Sequence, residues 1–319
     1  MIGRTGVLIA SIAALCSGLQ DPQQPPVFRA AANAVIVDVS VRDSSRRTMT
    51  DLTAADFTVM DNGVAQAVDT VSYGRLPIDV TVGLDISRSV SGPLQESLRT
   101  AVGQLMRDLR RGDRLKLMLF NMRLSRTIGF TTDVSLVERA IATATPGGGT
   151  ALFDALSVAM VSASEPDRRQ LIVFFTDGSD ASSTTSRQML ARVSERTRAT
   201  VTFVLSPTAP LVSKTNTMAP SVSIQNRIPD MPMPGSSSSQ FVMDPAIRQL
   251  ADDTGGSVLT TSLSNSLGPM FLQALDRFRS AYVLYYSPKG VERSGFHRLE
   301  VSVNRPGAVV QARRGYFGG

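Results

Sequence analysis

The segment VTVGLDISRS, at residues 80–89, decides the fold. It begins with a short apolar run and ends in Asp85, Ser87 and Ser89. Such a run is typical of a strand that is buried on both faces of a parallel sheet. Ligands of open α/β sheets bind beyond the carboxyl ends of the strands, where these polar residues lie. The segment therefore predicts a parallel strand followed by a candidate binding edge.

Strand and helix patterns alternate on both sides of this segment. Further apolar strand cores are predicted at 115–120, 171–175, 201–205 and 257–260. Helical patterns are predicted at 94–109, 134–142, 151–164, 186–197, 245–251 and 267–279. Buried strands that alternate with amphipathic helices predict an α/β fold with a doubly wound, mostly parallel sheet, covered by helices on both faces.

Both ends of the chain are typical of antiparallel β structure. Alternating valines at 35–41 lie on one face of a strand. Asn62-Gly63 predicts a type I′ hairpin turn between 57–61 and 64–73. Near the other end, strands are predicted at 281–287, 296–303 and 308–312. Neither end has enough strands for a stable sheet of its own. We therefore expect one small antiparallel β-sandwich, formed from both chain ends, with the α/β unit inserted between them.

Polar side chains also follow two later segments. GGGT at 147–150 precedes a predicted helix, and Thr-Asp-Gly at 176–178 follows a predicted strand. Alone, each segment fits an ordinary linker, turn or helix cap. Together they favour a metal site, because parallel strand ends share one edge. Carboxylate and hydroxyl oxygens suit Mg²⁺, with Mn²⁺ as a substitute. The predicted metal site consists of Asp85, Ser87, Ser89, Thr150 and Asp177.

Composition excludes several other kinds of site. The 319 residues include one histidine, His297, and one cysteine, Cys16. These counts exclude a Cys/His zinc site and a disulfide framework, and any Ser-His-Asp triad would have to use His297. The formal charge of +6 comes mostly from arginines scattered among acids, without a run of five or more like charges. That pattern indicates a solvated, mildly basic surface and no nucleic-acid stripe, and it leaves an anionic cell-surface partner open.

The first residues indicate export. Residues 1–18 contain Arg4 followed by a short apolar run, which is typical of a signal peptide and too short for a spanning helix. Lipidation of Cys16 is the alternative, although Leu15 is large for that motif. A polar, proline-rich linker at 19–32 follows. Residues 206–240 are rich in Pro, Ser and Met and predict a mobile insertion. We expect a secreted, periplasmic or cell-surface bacterial protein without a transmembrane segment in its mature form.

The three polar segments resemble the von Willebrand factor type A (VWA) domain, whose metal-ion-dependent adhesion site uses these elements. The resemblance covers about 77–279, and the insertion at 206–240 departs from it. It implies that Ser87, Ser89 and Thr150 ligate the metal directly. By the same resemblance, Asp85 and Asp177 hold it directly or through water.

Two segments outside the predicted VWA domain indicate a narrower group within this family. LTAADF at 52–57 and ARRGYF at 312–317 look like the secreted VWA-related proteins typical of Acidobacteria. The expected organisation is a signal peptide at 1–18, a linker at 19–32, β-rich flanks at 33–75 and 280–319, and a VWA domain at 77–279.

The function expected from these features is binding. Hydroxyl ligands bring no negative charge, so the ion stays electrophilic and keeps a position for an outside carboxylate. We expect a secreted, Mg²⁺-dependent adhesion module, not an enzyme, that recognises an acidic group on a protein partner. The alternative is a structural assembly subunit with a stabilising or vestigial metal site. Metal-assisted phosphoryl transfer ranks lower, because Ser87 occupies the position where such enzymes generally need a second carboxylate.

Two further motifs suggest a function but are interpreted as structural. Arg111-Gly112-Asp113 spells the integrin-recognition tripeptide, but it lies where a turn is expected between a helix and a strand. His297 alternates with apolar residues along its strand, which favours a packed or edge histidine over a catalytic one.

Overall fold

The computed structural model describes residues 34–74, 76–88, 90, 92–162, 165, 167–205, 243–260 and 266–318. The predicted signal peptide, the linker at 19–32, the insertion at 206–240 and Ser89 lie outside the described residues. Strands and helices are numbered in chain order. The strands are β1 (Val35–Arg42), β2 (Phe57–Asp61), β3 (Val64–Gln66), β4 (Thr70–Tyr73), β5 (Ile78–Asp85), β6 (Arg114–Phe120), β7 (Leu124–Thr131), β8 (Arg169–Thr176), β9 (Thr200–Leu205), β10 (Val258–Thr260), β11 (Tyr282–Tyr286), β12 (Gly295–Val303), β13 (Val309–Ala312) and β14 (Gly315–Gly318). The helices are α1 (Pro93–Asp108), α2 (Val134–Ala142), α3 (Leu152–Val161), α4 (Arg187–Arg196), α5 (Pro245–Asp253) and α6 (Leu267–Arg279).

The central sheet has six strands in the order β10-β9-β8-β5-β6-β7. Neighbours pair in parallel from β10 to β6, and β7 pairs antiparallel with β6 at the edge. The doubly wound, mostly parallel sheet is thus confirmed. The sequence did not predict β7, because its side chains are exposed or half-buried and form no apolar run.

Helices cover both faces of this sheet. Side chains of α1, α2 and α6 pack on one face against Val80, Val82 and Leu84 of β5. Side chains of α3, α4 and α5 pack on the other face, where Phe174 of β8 is fully buried. The Phe174 ring packs directly against Gly83 of β5. A Cβ at position 83 would lie only 2.5 Å from this ring. The two cores fix β5, and therefore its polar end, in the middle of the sheet.

Both chain ends contribute strands to two four-stranded sheets, which have the orders β13-β1-β11-β4 and β14-β12-β2-β3. Valines of β1, aromatic residues of β2 and β11, and Leu299 of β12 pack together in one apolar core. The predicted sandwich formed from both ends is therefore confirmed.

The predicted hairpin is correct only in its first part. Asn62 and Gly63 have φ of 47° and 79°, as a type I′ turn requires, and β2 pairs with β3. The prediction was wrong for 70–73, which forms β4 and pairs with β11 in the other sheet. At the end of the hairpin, the buried amide of Gln66 donates to the Lys289 carbonyl and accepts the Lys289 N–H. The short strand β14, which pairs with β12, was also not predicted.

Arg169 joins the sandwich to the central sheet. Its Nε donates to Asp38 Oδ1 of β1 at 2.7 Å, and its Nη2 donates to the Phe278 carbonyl of α6 at 2.7 Å. The guanidinium also lies over the Phe278 ring, 4.1 Å from the centroid. One buried side chain thus ties β8, β1 and α6 together.

We expect Arg169→Ala to lower the free energy of unfolding by about 2–3 kcal/mol, because it leaves a carboxylate and a carbonyl without their donor. Urea denaturation followed by circular dichroism measures this. Arg248→Ala is the matched control, because this arginine is exposed on α5, and it is expected to change stability by less than about 0.5 kcal/mol. Equal losses in the two variants would contradict the assigned role of Arg169.

The two discounted motifs have structural roles. Asp113 is buried, and its carboxylate accepts hydrogen bonds from the backbone N–H groups of Ile78 and Arg110 at 2.9 and 3.0 Å. It also pairs with Arg279 at 3.1 Å. His297 is 2% exposed, as expected for a packed histidine. In the described part of the chain, no helix is long and apolar enough to cross a membrane.

Candidate metal site

Asp85 is the centre of the candidate site. It is the last residue of β5 and is 1% exposed. Its Oδ1 accepts the Ser87 backbone N–H at 2.8 Å. Its Oδ2 lies 3.1 Å from the Thr176 hydroxyl and 3.4 Å from the Thr150 hydroxyl. One buried carboxylate therefore contacts all three segments that the sequence singled out.

The loop after β5 brings Ser87 back over the strand end. The Ile86 N–H donates to the Phe120 carbonyl of β6 at 2.8 Å, and the Val90 N–H donates to the Ser87 carbonyl at 2.9 Å. Ser87 is buried beside Asp85. Of the predicted pair of serines, only Ser87 can be assigned to the site, since Ser89 is outside the described residues.

The Gly-rich segment before α3 is held on both sides. The Gly147 N–H donates to the Ile86 carbonyl at 2.9 Å. The Thr150 carbonyl accepts the N–H groups of Ala181 and Ser182 at 2.9 and 3.0 Å. Gly148 has a φ of 77°, a conformation that favours glycine. The segment is therefore a fixed part of the edge, and it presents the buried Thr150 hydroxyl to Asp85.

Thr176 ends β8 next to Asp85, and Asp177 follows it. Asp177 is half-buried, and its Oδ1 accepts the backbone N–H and the hydroxyl of Ser179 at 3.0 and 2.7 Å. The Thr176 hydroxyl donates to Asp85 and accepts the Gly178 N–H at 3.1 Å. Sequence reasoning did not include Thr176 in the site. Its signal was a hydroxyl at the end of an otherwise apolar buried strand.

The charges at this edge favour a cation. Burial raises the pKa of Asp85, and the nearby charge of Asp177 raises it further, while hydrogen bonds from Ser87 and Thr176 oppose the shift. A buried carboxylate that faces a second carboxylate is stabilised by a bound cation. Within the described residues, no group of three or more His, Cys, Asp or Glu side chains is placed so that it could hold a metal ion. A donor set of carboxylates and hydroxyls fits a hard ion such as Mg²⁺.

The loop after Asp177 is anchored to the start of α3. Asp154 accepts the N–H groups of Thr184 and Thr185 at 3.0 and 2.7 Å. In return, Asp180 accepts the Phe153 N–H at 3.1 Å. These reciprocal bonds fix the loop that carries Asp177 relative to the helix that follows Thr150.

Several solved structures are similar to this chain. An aerotolerance-related membrane protein from Bacteroides fragilis is 16% identical, with a TM-score of 0.41, and the match covers 63% of this chain and 99% of that one. A von Willebrand factor type A protein from Catenulispora acidiphila is 13% identical, with a TM-score of 0.46 and coverages of 89% and 75%. Proximal thread matrix protein 1 from the mussel byssus, with a zinc-occupied MIDAS motif, is 14% identical, with a TM-score of 0.45 and coverages of 63% and 48%. At these scores the similarities carry no argument about ligands or partners.

Comparison with curated proteins gives no match. The sequence profile described as the von Willebrand factor type A domain matches residues 80–179. This range begins in β5 and ends just after β8, so it includes Asp85, Ser87, Thr150 and Asp177. The central sheet thus has a von Willebrand factor type A-like fold, and the part of it from β5 to β8 matches the sequence profile of that domain.

Proposed function

We propose that this protein is a secreted module that binds a protein partner through Mg²⁺ held at the carboxyl edge of its central sheet. The observation that carries the proposal is the convergence of two carboxylates and two hydroxyls on one buried edge. Asp85, Ser87, Thr150 and Asp177 come from three separate segments of the chain.

In this proposal, Ser87 and Thr150 bind the ion through their hydroxyls, and Asp85 and Asp177 hold it directly or through water. Ser89 is the fifth proposed ligand. The bound ion supplies a Lewis-acidic position for a carboxylate of the partner. Thr176 positions Asp85 through its hydroxyl.

The surface around the edge suits an acidic partner. Arg88 is exposed next to Ser87, and its backbone N–H donates to the Gly148 carbonyl at 3.3 Å. Met122 is 58% exposed and lies against Gly148. A positive charge and an apolar side chain thus border the proposed ion, where they can contact a peptide that carries a carboxylate.

Export and the finer grouping belong to the same proposal. Export rests on the signal-peptide pattern at 1–18. The grouping with secreted bacterial VWA-related proteins rests on the segments at 52–57 and 312–317. The domain organisation with a VWA unit at 77–279 rests on the sheet boundaries, since β5 begins at Ile78 and α6 ends at Arg279.

Calorimetric titration with Mg²⁺, and then with Mn²⁺, tests the proposal. We expect saturable binding by the mature protein and its loss in Asp177→Ala. Asp167→Ala is the matched control, because Asp167 precedes β8 at the edge opposite to Asp177 and is exposed. Metal binding that survives in Asp177→Ala but is lost in Asp167→Ala would overturn the assignment.

A second titration, with an acidic peptide, distinguishes the proposed binding module from the alternative of a structural assembly subunit. With Mg²⁺ present, an acidic peptide such as oligoglutamate is expected to bind wild type and not Asp177→Ala. Metal binding without peptide binding would favour the structural-subunit alternative. Equal melting temperatures in Mg²⁺ and in EDTA would indicate a vestigial site, because a ligand that binds only the folded state must stabilise it.

A further inference from the structure

A cleft of about 610 Å³ lies at the amino edge of the central sheet, away from the candidate metal site. It is bordered by the end of β1, the turn after it, the residues before β5, the turn between α1 and β6, and the end of α6. Five arginines line it: Arg42, Arg46, Arg110, Arg277 and Arg279. The volume matches that of sites for small ligands.

Four of these arginines have no carboxylate partner among the residues that the structure describes. Arg279 pairs with Asp108 and Asp113 at 3.1 Å each. The guanidinium groups of Arg42, Arg46, Arg110 and Arg277 form no ion pair within the described ranges. Arginine stays protonated in proteins, so these four groups are positive charges.

Local negative charges do not balance this group. The cleft receives the C-terminal ends of α1 and α6, and each helix end carries about half a negative charge. Asp276 is the acidic side chain at the cleft, and it lies 3.9 Å from Arg279. Arg279 is itself 8% exposed, and its Nε has no hydrogen-bond partner. The cleft therefore keeps an excess of positive charge and a buried donor without an acceptor.

A further observation shows that the arginines are crowded. Burial lowers the pKa of Arg277, and the charges of Arg42 and Arg46 lower it further. Three of the five arginines, Arg42, Arg46 and Arg277, are thus close enough for their like charges to interact.

We propose that this cleft is an anion site that binds a phosphate group of at least two negative charges, carried by a small molecule or by a lipid headgroup. The planar guanidinium fork matches phosphate oxygens and forms paired hydrogen bonds with them. Several guanidinium groups can donate to the several oxygens of one phosphate, whereas a single carboxylate offers only two oxygens as acceptors.

Calorimetric titration with pyrophosphate, in EDTA and at low ionic strength, tests the proposal. EDTA removes any contribution of the candidate metal site, so this result is independent of the proposed function. We expect saturable binding that Arg277→Gln weakens at least about tenfold and that salt weakens as well. Arg248→Gln is the matched control, because this arginine is exposed on α5 and does not line the cleft, and it should bind like wild type. Arg277→Gln removes one of several like charges, so it is not expected to lower the melting temperature.

The source of the phosphate is tested by cosedimentation with vesicles that contain phosphatidic acid, whose phosphomonoester headgroup can carry two negative charges. Binding that Arg277→Gln abolishes would assign the cleft to a lipid headgroup. Pyrophosphate binding without vesicle binding would assign it to a soluble phosphate ester. Absence of pyrophosphate binding, or equal loss in Arg248→Gln and Arg277→Gln, would overturn the proposal.

Discussion

Asp85→Asn is expected to lower the affinity for Mg²⁺ by at least about 100-fold while leaving the metal-free protein as stable as wild type or more stable. The reason is that the Asp85 carboxylate is buried, and burial together with Asp177 raises its pKa. The charge therefore costs stability unless a cation is bound. Asparagine keeps the shape of the side chain and one oxygen for the Ser87 N–H, and the hydroxyls of Thr150 and Thr176 can accept from its NH₂ group.

Melting curves in EDTA and in excess Mg²⁺ separate the two effects. In EDTA, Asp85→Asn is expected to melt at the wild-type temperature or up to about 4 °C above it. In Mg²⁺, wild type gains stability by mass action, about 2.7 kcal/mol at a concentration 100 times its Kd, whereas a variant with at least 100-fold weaker affinity gains at most about 0.4 kcal/mol. Thr176→Val provides a comparison, because it removes the hydroxyl that donates to Asp85 and accepts the Gly178 N–H but leaves the Asp85 carboxylate in place, so it should weaken metal binding less. A variant that melts lower than wild type in EDTA and still gains stability in Mg²⁺ would mean that Asp85 serves the fold alone.

The parts of the fold that the sequence predicted correctly are those with buried, local patterns. Strands of the central sheet are covered on both faces, so each is a continuous apolar run that is visible in the sequence. The edge strand β7 has no such run, and β4 continues a hairpin pattern but pairs with the other sheet. Edge exposure and the choice of partner strand depend on the whole fold, so neither could be predicted from a single segment.

In the candidate site as well, the residues that could be predicted are those that belong to local patterns. Asp85 and Asp177 follow buried parallel strands, and parallel strand ends share an edge, so their approach could be predicted. The role of Thr176 depends on which way its hydroxyl turns at the strand end, which no spacing determines. The arginine-lined cleft could not be predicted at all. Its residues are spread from 42 to 279, and scattered arginines were interpreted as a solvated surface before the fold brought them together.

Asp61 stabilises the sandwich through contacts that no local pattern predicts. It is fully buried at the end of β2, and its Oδ2 accepts the hydroxyls of Tyr286 and Tyr316 at 2.9 Å each. Its Oδ1 lies 2.8 Å from His297 Nδ1. Burial raises the pKa of both tyrosines, so their hydroxyls stay protonated and act as donors. One carboxylate thus connects β2 with β11, β12 and β14, across separations of more than two hundred residues.

Asp61→Ala is expected to lower the free energy of unfolding by about 3–5 kcal/mol, since it leaves two buried hydroxyls and an imidazole without their acceptor. Tyr316→Phe removes one of these hydrogen bonds and is expected to cost about 1–1.5 kcal/mol. Urea denaturation followed by circular dichroism compares the two, with Asp61→Asn as an intermediate that keeps one acceptor oxygen. The order of the losses in unfolding free energy tests whether Asp61 is the shared acceptor. If Asp61→Ala cost no more than Tyr316→Phe, the carboxylate would not be the centre of the cluster. The order Ala, then Asn, then Tyr316→Phe, from largest loss to smallest, is the one that a shared buried acceptor requires.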